Sequence, residues 1–138
     1  MRALGGRLAR ACAGGELIFL QGELGVGKTT LVRGFLRARG HGGTVKSPTY
    51  ALLEPYALPS GAVYHLDLYR LSDPEELEYL GLRELLAGDA VCLVEWPERG
   101  GDRLPAPDLR VVMAYAGESR RVALQAGSAR GRAVLERL

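Results

Sequence analysis

Near the N-terminus the chain reads Gly22-Glu23-Leu24-Gly25-Val26-Gly27-Lys28-Thr29, which satisfies the pattern G-x-x-x-x-G-K-[ST] at every fixed position. These residue types suit a triphosphate. Glycines let the backbone curl so that several N–H donors converge without a Cβ in the way. A helix beginning at Lys28 would turn its positive end toward the same phosphates. Lys28 can reach the β- and γ-phosphates as a mobile point charge, and the Thr29 hydroxyl can ligate Mg²⁺. The flanks match this reading, with the apolar run Leu17-Ile18-Phe19-Leu20 before the loop and a helical pattern from Thr30 after it.

A loop of this kind works with an acidic residue at the end of a neighbouring strand, to hold Mg²⁺ or a water. Two segments offer one. Val91-Cys92-Leu93-Val94-Glu95 is a run of apolar residues ending in a carboxylate, as in a Walker B strand, the alternative being a strand-end glutamate facing solvent. In Val63-Tyr64-His65-Leu66-Asp67-Leu68-Tyr69-Arg70, strand alternation puts His65, Asp67 and Tyr69 on one face, which either lines the site or meets water. Ser47-Pro48-Thr49 reads as a proline turn or as a switch whose hydroxyl senses the γ-phosphate. Trp96, the single tryptophan, belongs to the core or stands beside the nucleotide. The arginines Arg110, Arg120, Arg121, Arg130, Arg132 and Arg137 have no interleaved aromatics of the kind that RNA binding uses, and read as a solvated face.

The elements that must position these groups follow from periodicity. Residues 2–13 place Leu4, Leu8 and Cys12 one helical turn apart, and Gly14-Gly15 ends that helix. Glu16–Leu20 is the first strand, and Thr30–Arg39 a helix closed by Gly40. Tyr50–Tyr56 and Ala62–Tyr69 are strands joined through Pro59-Ser60-Gly61 as a hairpin. Leu71–Glu78 opens with Ser72 or Asp73 as cap and Pro74 in the first turn, and Leu82–Ala87 is a second short helix after Gly81. Ala90–Trp96 is a buried strand, Glu98–Asp108 a loop, Leu109–Tyr115 and Arg121–Gln125 are strands, and Ala129–Leu138 is a terminal helix. The expected architecture is one α/β P-loop NTPase domain spanning 1–138, with a mixed central sheet flanked by helices.

Composition narrows the field further. At 138 residues, 47% of them hydrophobic, the chain is long enough to bury a core. A net charge of +2 supplies no global field for nucleic acid. Lys28 and Lys46 are the only lysines, and there is no asparagine, so the Asn-Lys-x-Asp motif of a guanine-specific switch GTPase is excluded. Cys12 and Cys92 lack metal-ligand spacing and read as buried free thiols of a reducing compartment. No run has transmembrane length and no signal pattern is present, so the expected location is cytoplasmic.

Taken together, Gly22–Thr30, Val45-Lys46-Ser47-Pro48-Thr49-Tyr50, Tyr64–Arg70, Asp73-Pro74-Glu75-Glu76-Leu77 and Leu93-Val94-Glu95-Trp96-Pro97 resemble the bacterial TsaE family, also called YjeE, in order and spacing over nearly the whole chain. The resemblance implies an ATPase needed, with the TsaB and TsaD proteins, for threonylcarbamoyladenosine modification of tRNA next to the anticodon. It assigns the transfer chemistry to TsaD, and ATP-driven turnover of the assembly to the TsaE protein. tRNA would then be met through the complex, and no membrane is involved. Carried over, Lys28 and the loop 22–30 hold the phosphates of ATP, Thr29 and Glu95 hold Mg²⁺, and Asp67 is a second catalytic carboxylate. Thr49 becomes the switch residue, Trp96 the aromatic beside the metal-site acid, and Arg121 a candidate nucleotide contact. One departure concerns the start: family members carry several residues before the first helix, whereas Met1 here begins almost inside it.

The reading is therefore a Mg²⁺-dependent ATPase subunit with weak activity of its own, in which Lys28, Asp67 and Glu95 carry the chemistry. Two rivals share the loop: a kinase of a small metabolite, and a non-enzymatic adaptor gated by ATP. No long arginine-rich insertion of the kind a kinase lid uses appears between the strands.

Overall fold

The structure is a computed structural model that describes residues 1–45 and 52–138; the expected switch at Thr49 lies outside the described residues. Six strands form one sheet in the order β2-β3-β4-β1-β5-β6: β1 (Leu17–Gln21), β2 (Leu53–Leu58), β3 (Gly61–Asp67), β4 (Val91–Glu95), β5 (Leu109–Ala116) and β6 (Ser119–Ala126). The central strands β3, β4, β1 and β5 run parallel, while β2 and β6 return antiparallel through two tight hairpins. The expected mixed sheet is thus present, with the antiparallel pairs confined to its edges.

Alternation sorts the strand residues between two covered faces. Ile18, Leu20, Val63, Val91 and Leu93 pack with helices α1 (Arg2–Ala11), α2 (Lys28–Ala38) and α5 (Ala129–Arg137). Leu17, Phe19, Leu66, Cys92 and Val94 pack on the other face with α3 (Glu76–Tyr79), α4 (Leu82–Ala87) and the segment after β4. Because both faces are covered, β4 is buried along its whole length and reads as a continuous apolar run. The same parity decides where its last residue goes: Glu95 shares the face of Val91 and Leu93, toward α2.

Helices α1 and α2 meet backbone to backbone. A Cβ on Gly5 would fall 2.1 Å from the Leu31 carbonyl oxygen, and one on Gly34 would fall 2.1 Å from that of Arg2. No side chain fits in either gap. At the base of the sheet, Asp108 accepts from the Leu17 amide at 2.8 Å and from the Ser128 hydroxyl at 2.7 Å, and Ser128 in turn caps α5 by accepting from Gly131 N.

Two expectations need correction. The helix expected over 71–78 is only the four-residue α3, because Asp73 accepts from the Glu75 amide at 3.0 Å and closes Pro74-Glu75 into a turn ahead of it. The loop expected over 98–108 contains 3₁₀ turns within Pro97–Arg103, broken by a kink at Gly101 (φ 55°, ψ −137°); Pro97 seeds the first turn, and Arg103 ties the end of the segment to Glu75 and Glu78. Among the described residues, no helix is long and apolar enough to cross a membrane.

Burial pushes the Cys12 and Cys92 thiols up to about 12 from an ordinary value of 9.0. Both should resist iodoacetamide at pH 8 in the native state and react once the chain is unfolded, read by mass spectrometry. As pH rises above about 9 the unfolded thiols ionise while the folded ones do not, so stability should fall in that window in a denaturant titration. Gly5→Ala and Gly34→Ala should each destabilise the chain by about 1–3 kcal/mol or more, with Gly42→Ala, where a Cβ meets nothing, as the near-neutral control.

Candidate functional site

The site lies where β1, β3 and β4 end side by side, outside the carboxyl edge of the parallel sheet, which is where α/β sheets build their ligand crevices. β1 runs into the glycine loop, whose backbone takes positive φ at Gly22 (152°), Gly25 (79°) and Gly27 (122°). At Gly22 the requirement is steric as well, since a Cβ would sit 2.6 Å from the Met113 carbonyl oxygen. Gly27 caps α2, which brings Lys28 and Thr29 into its first turn, facing the strand ends.

Lys28 is only 5% exposed. Its ammonium donates to the carbonyls of Gly22 and Glu23 and lies 3.8 Å from the centroid of the Trp96 ring, a cation–π contact. Burial pulls this amine below the usual lysine range, and the nearby carboxylates of Glu95, Glu98 and Asp67 pull it back up. Trp96 reaches this position through a left-handed backbone, φ 56° and ψ 49°, unusual for a bulky residue and costing about 1–2 kcal/mol. The turn swings its ring off the sheet, against Tyr69 at 4.9 Å between centroids and over Lys28.

Glu95 closes β4 and is 3% exposed. The Thr29 hydroxyl donates to both of its carboxylate oxygens at 3.2 Å, and His65 Nε2 lies 2.6 Å from Oε2. Asp67 pairs in register with Glu95 across β3 and β4, so the two carboxylates share one face, and Asp67 Oδ1 accepts from the Tyr69 amide at 3.1 Å. The donor set suits Mg²⁺ in kind: Thr29 and Glu95 offer hard oxygen ligands side by side. Among the described residues no cluster of three His, Cys, Asp or Glu could cage a metal.

Most of the residues expected from the sequence come together here. Leu24, Gly25, Gly27, Lys28, Thr29, Thr30, Asp67, Glu95 and Trp96 line one cleft of about 390 Å³, joined by Tyr69 and Arg70. Gly22, Glu23 and Val26 do not line it. They shape the loop from behind, with Val26 buried in the core and the carbonyls of Gly22 and Glu23 turned to Lys28. Arg121 is displaced from the loop. Along β6, Val122 and Leu124 face the body of the protein, while Arg121, Ala123 and Gln125 face out. Its neighbour Arg120, on the inward parity, stacks on Tyr115 and donates to the Val26 carbonyl at 3.1 Å. His65, which alternation placed on one face with Asp67 but to which no role was given, is buried against Glu95.

The comparisons with known proteins give the chain a family. The family profile described as "Threonylcarbamoyl adenosine biosynthesis protein TsaE" matches residues 1–123. The chain belongs to the TsaE family. It is 46% identical over 119 residues to the tRNA threonylcarbamoyladenosine biosynthesis protein TsaE of Haemophilus influenzae, covering 86% of this chain and 75% of the relative. It is 40% identical over 107 residues to the protein of the same name in Bacillus subtilis, covering 78% of this chain and 66% of the relative. Among solved structures, the crystal structure of YdiB from Bacillus subtilis superposes with a TM-score of 0.78 at 30% identity, over 98% of this chain and 84% of that one. A TsaE-family chain with this loop is a nucleotide-binding protein.

Trp96 is the single tryptophan and stands against Lys28, so its fluorescence should change when a nucleotide draws the ammonium away. In that titration Arg121→Ala should leave the affinity unchanged, whereas Arg120→Ala, which frees the Val26 carbonyl, should weaken it several-fold, roughly 1 kcal/mol.

Proposed function

We propose that this chain is the Mg²⁺-dependent ATPase subunit of tRNA threonylcarbamoyladenosine biosynthesis, working with TsaB and TsaD proteins and meeting tRNA through that assembly. The observation that carries the reading is the meeting of Lys28, Thr29, Asp67 and Glu95 in one cleft behind a glycine loop, in a chain of the TsaE family.

The residues divide the work as follows. Loop amides and the first turn of α2 cradle the phosphates, with the glycines keeping Cβ atoms out of the way. Lys28 exchanges the carbonyls of Gly22 and Glu23 for phosphate oxygens, where its charge stabilises the negative charge that develops on the γ-phosphoryl group. Thr29 and Glu95 hold Mg²⁺, which neutralises phosphate charge when bound. Asp67, beside Glu95 at the cleft, accepts a hydrogen bond from the attacking water and aims it in line with the leaving oxygen. Positioning and electrostatics supply nearly all of such a reaction. A site of two carboxylates, a lysine and a hydroxyl is sufficient to turn over slowly, and partners that close over the cleft raise the rate.

Phosphate release from ATP by the purified chain should be slow and should rise when TsaB and TsaD proteins are added. A rate indifferent to the partners would leave a stand-alone ATPase, and transfer of the phosphate to a metabolite would establish a kinase. Lys28→Ala should lower kcat by about 100-fold or more. Asp67→Asn should lower kcat while leaving ADP affinity within about twofold, since an interaction made only in the transition state does not alter ground-state binding.

A further inference from the structure

His65 has no part in the reading above, yet it touches the centre of the site. The ring is wholly buried on the α2 face of β3, in register with Leu93 and above Val63. Its Nε2 lies 2.6 Å from Glu95 Oε2, and because an ionised carboxylate only accepts, the proton of this bond sits on Nε2. The other ring nitrogen, Nδ1, has no hydrogen-bond partner among the described residues. A buried nitrogen left unpaired is unfavourable, and a leucine would fill much the same space without it. Packing alone therefore does not account for an imidazole here. What leucine cannot do is hold Oε2.

Glu95 is a long side chain at the last position of a strand, with torsions that would otherwise let the carboxylate swing. Contacts from two elements stop it: Thr29 from the first turn of α2, and His65 from β3. We infer that His65 is a positioning residue that pins Oε2 of Glu95, leaving Oε1, which the imidazole does not engage, as the oxygen offered to Mg²⁺. The inference rests on the reading of Glu95 as a metal-holding carboxylate. It acts through a hydrogen bond and the fixed direction of a lone pair, as partners behind a metal ligand generally do, where their loss weakens metal affinity by about 10–100-fold.

The test is Mn²⁺ binding to the full-length chain saturated with ADP, followed by electron paramagnetic resonance, with ADP affinity in EDTA and the melting temperature as accompanying measurements. Four variants are compared: His65→Leu, His65→Asn, His65→Gln and Glu95→Gln. A glutamine amide reaches the place of Nε2, whereas an asparagine amide reaches only that of Nδ1. His65→Leu and His65→Asn should weaken Mn²⁺ binding about 10–100-fold and His65→Gln should recover most of it, with metal-free ADP affinity unchanged. Leucine and asparagine variants that bind Mn²⁺ like the parent would overturn the inference, as would a glutamine variant no better than asparagine. Should His65→Leu fail to fold, the glutamine–asparagine contrast decides alone. If Glu95→Gln weakens Mn²⁺ binding and the His65 variants do not, only the role of His65 is lost; if Glu95→Gln has no effect, the metal reading fails and the inference falls with it.

Discussion

A cation and a carboxylate, Lys28 and Glu95, are buried within one cleft, and much of the architecture follows from keeping both there. Neither charge is tolerable in a protein interior without partners. Lys28 has loop carbonyls and an indole face; Glu95 has a hydroxyl and an imidazole. Each of these partners comes from a different element, so the site exists only when β1, the loop, α2, β3 and β4 are all in register. The two charges stay separately held, one by loop carbonyls and an indole, the other by a hydroxyl and an imidazole.

Sheet order makes that convergence possible. β1 is flanked by β4 on one side and β5 on the other, so the loop leaving β1 opens directly beside the end of β4. β3 lies next to β4, which sets Asp67 and His65 within reach of Glu95 although the segments are far apart along the chain. Strand parity then selects the face. Because side chains alternate, a slip of one residue in β4 would send Glu95 to the opposite face, among Phe19, Leu66 and the residues of α3 and α4, with no hydroxyl or imidazole to receive it.

The close crossing of α1 over α2 has a consequence for the site. With Gly5 and Gly34 removing side chains from the contact, α1 lies directly on α2 and fixes the angle at which its first turn meets the strand ends. On the other side of the cleft, the left-handed turn at Trp96 and the 3₁₀ turn that starts at Pro97 hold the indole against Lys28. Strain at Trp96 is thus concentrated where the backbone must leave the sheet and place a ring over the amine.

The glycine loop, the apolar strand before it, the helix after it, the hairpins and the carboxylate ending β4 were all legible in the residues, because each is a local pattern: fixed spacing, alternation or a turn signal. Local patterns also misled where a short polar signal stood alone, as with the helix over 71–78 and the loop over 98–108, since capping and proline at a turn are compatible with several short structures. The resemblance put forward Arg121 beside the loop, whereas strand parity turns Arg120 to the Val26 carbonyl there, and parity depends on which face of β6 the helices cover. His65 shows the same division. Its position in an alternating run was visible, but whether that face met water or a site was settled by the neighbour of β3 in the sheet and by the helix packed over both. Sequence by itself determined which residue types could bind phosphate and metal, because that depends on chemistry carried within a few residues. Tertiary structure alone decided which of them share a cleft, because contacts between distant strands are set by sheet order and register.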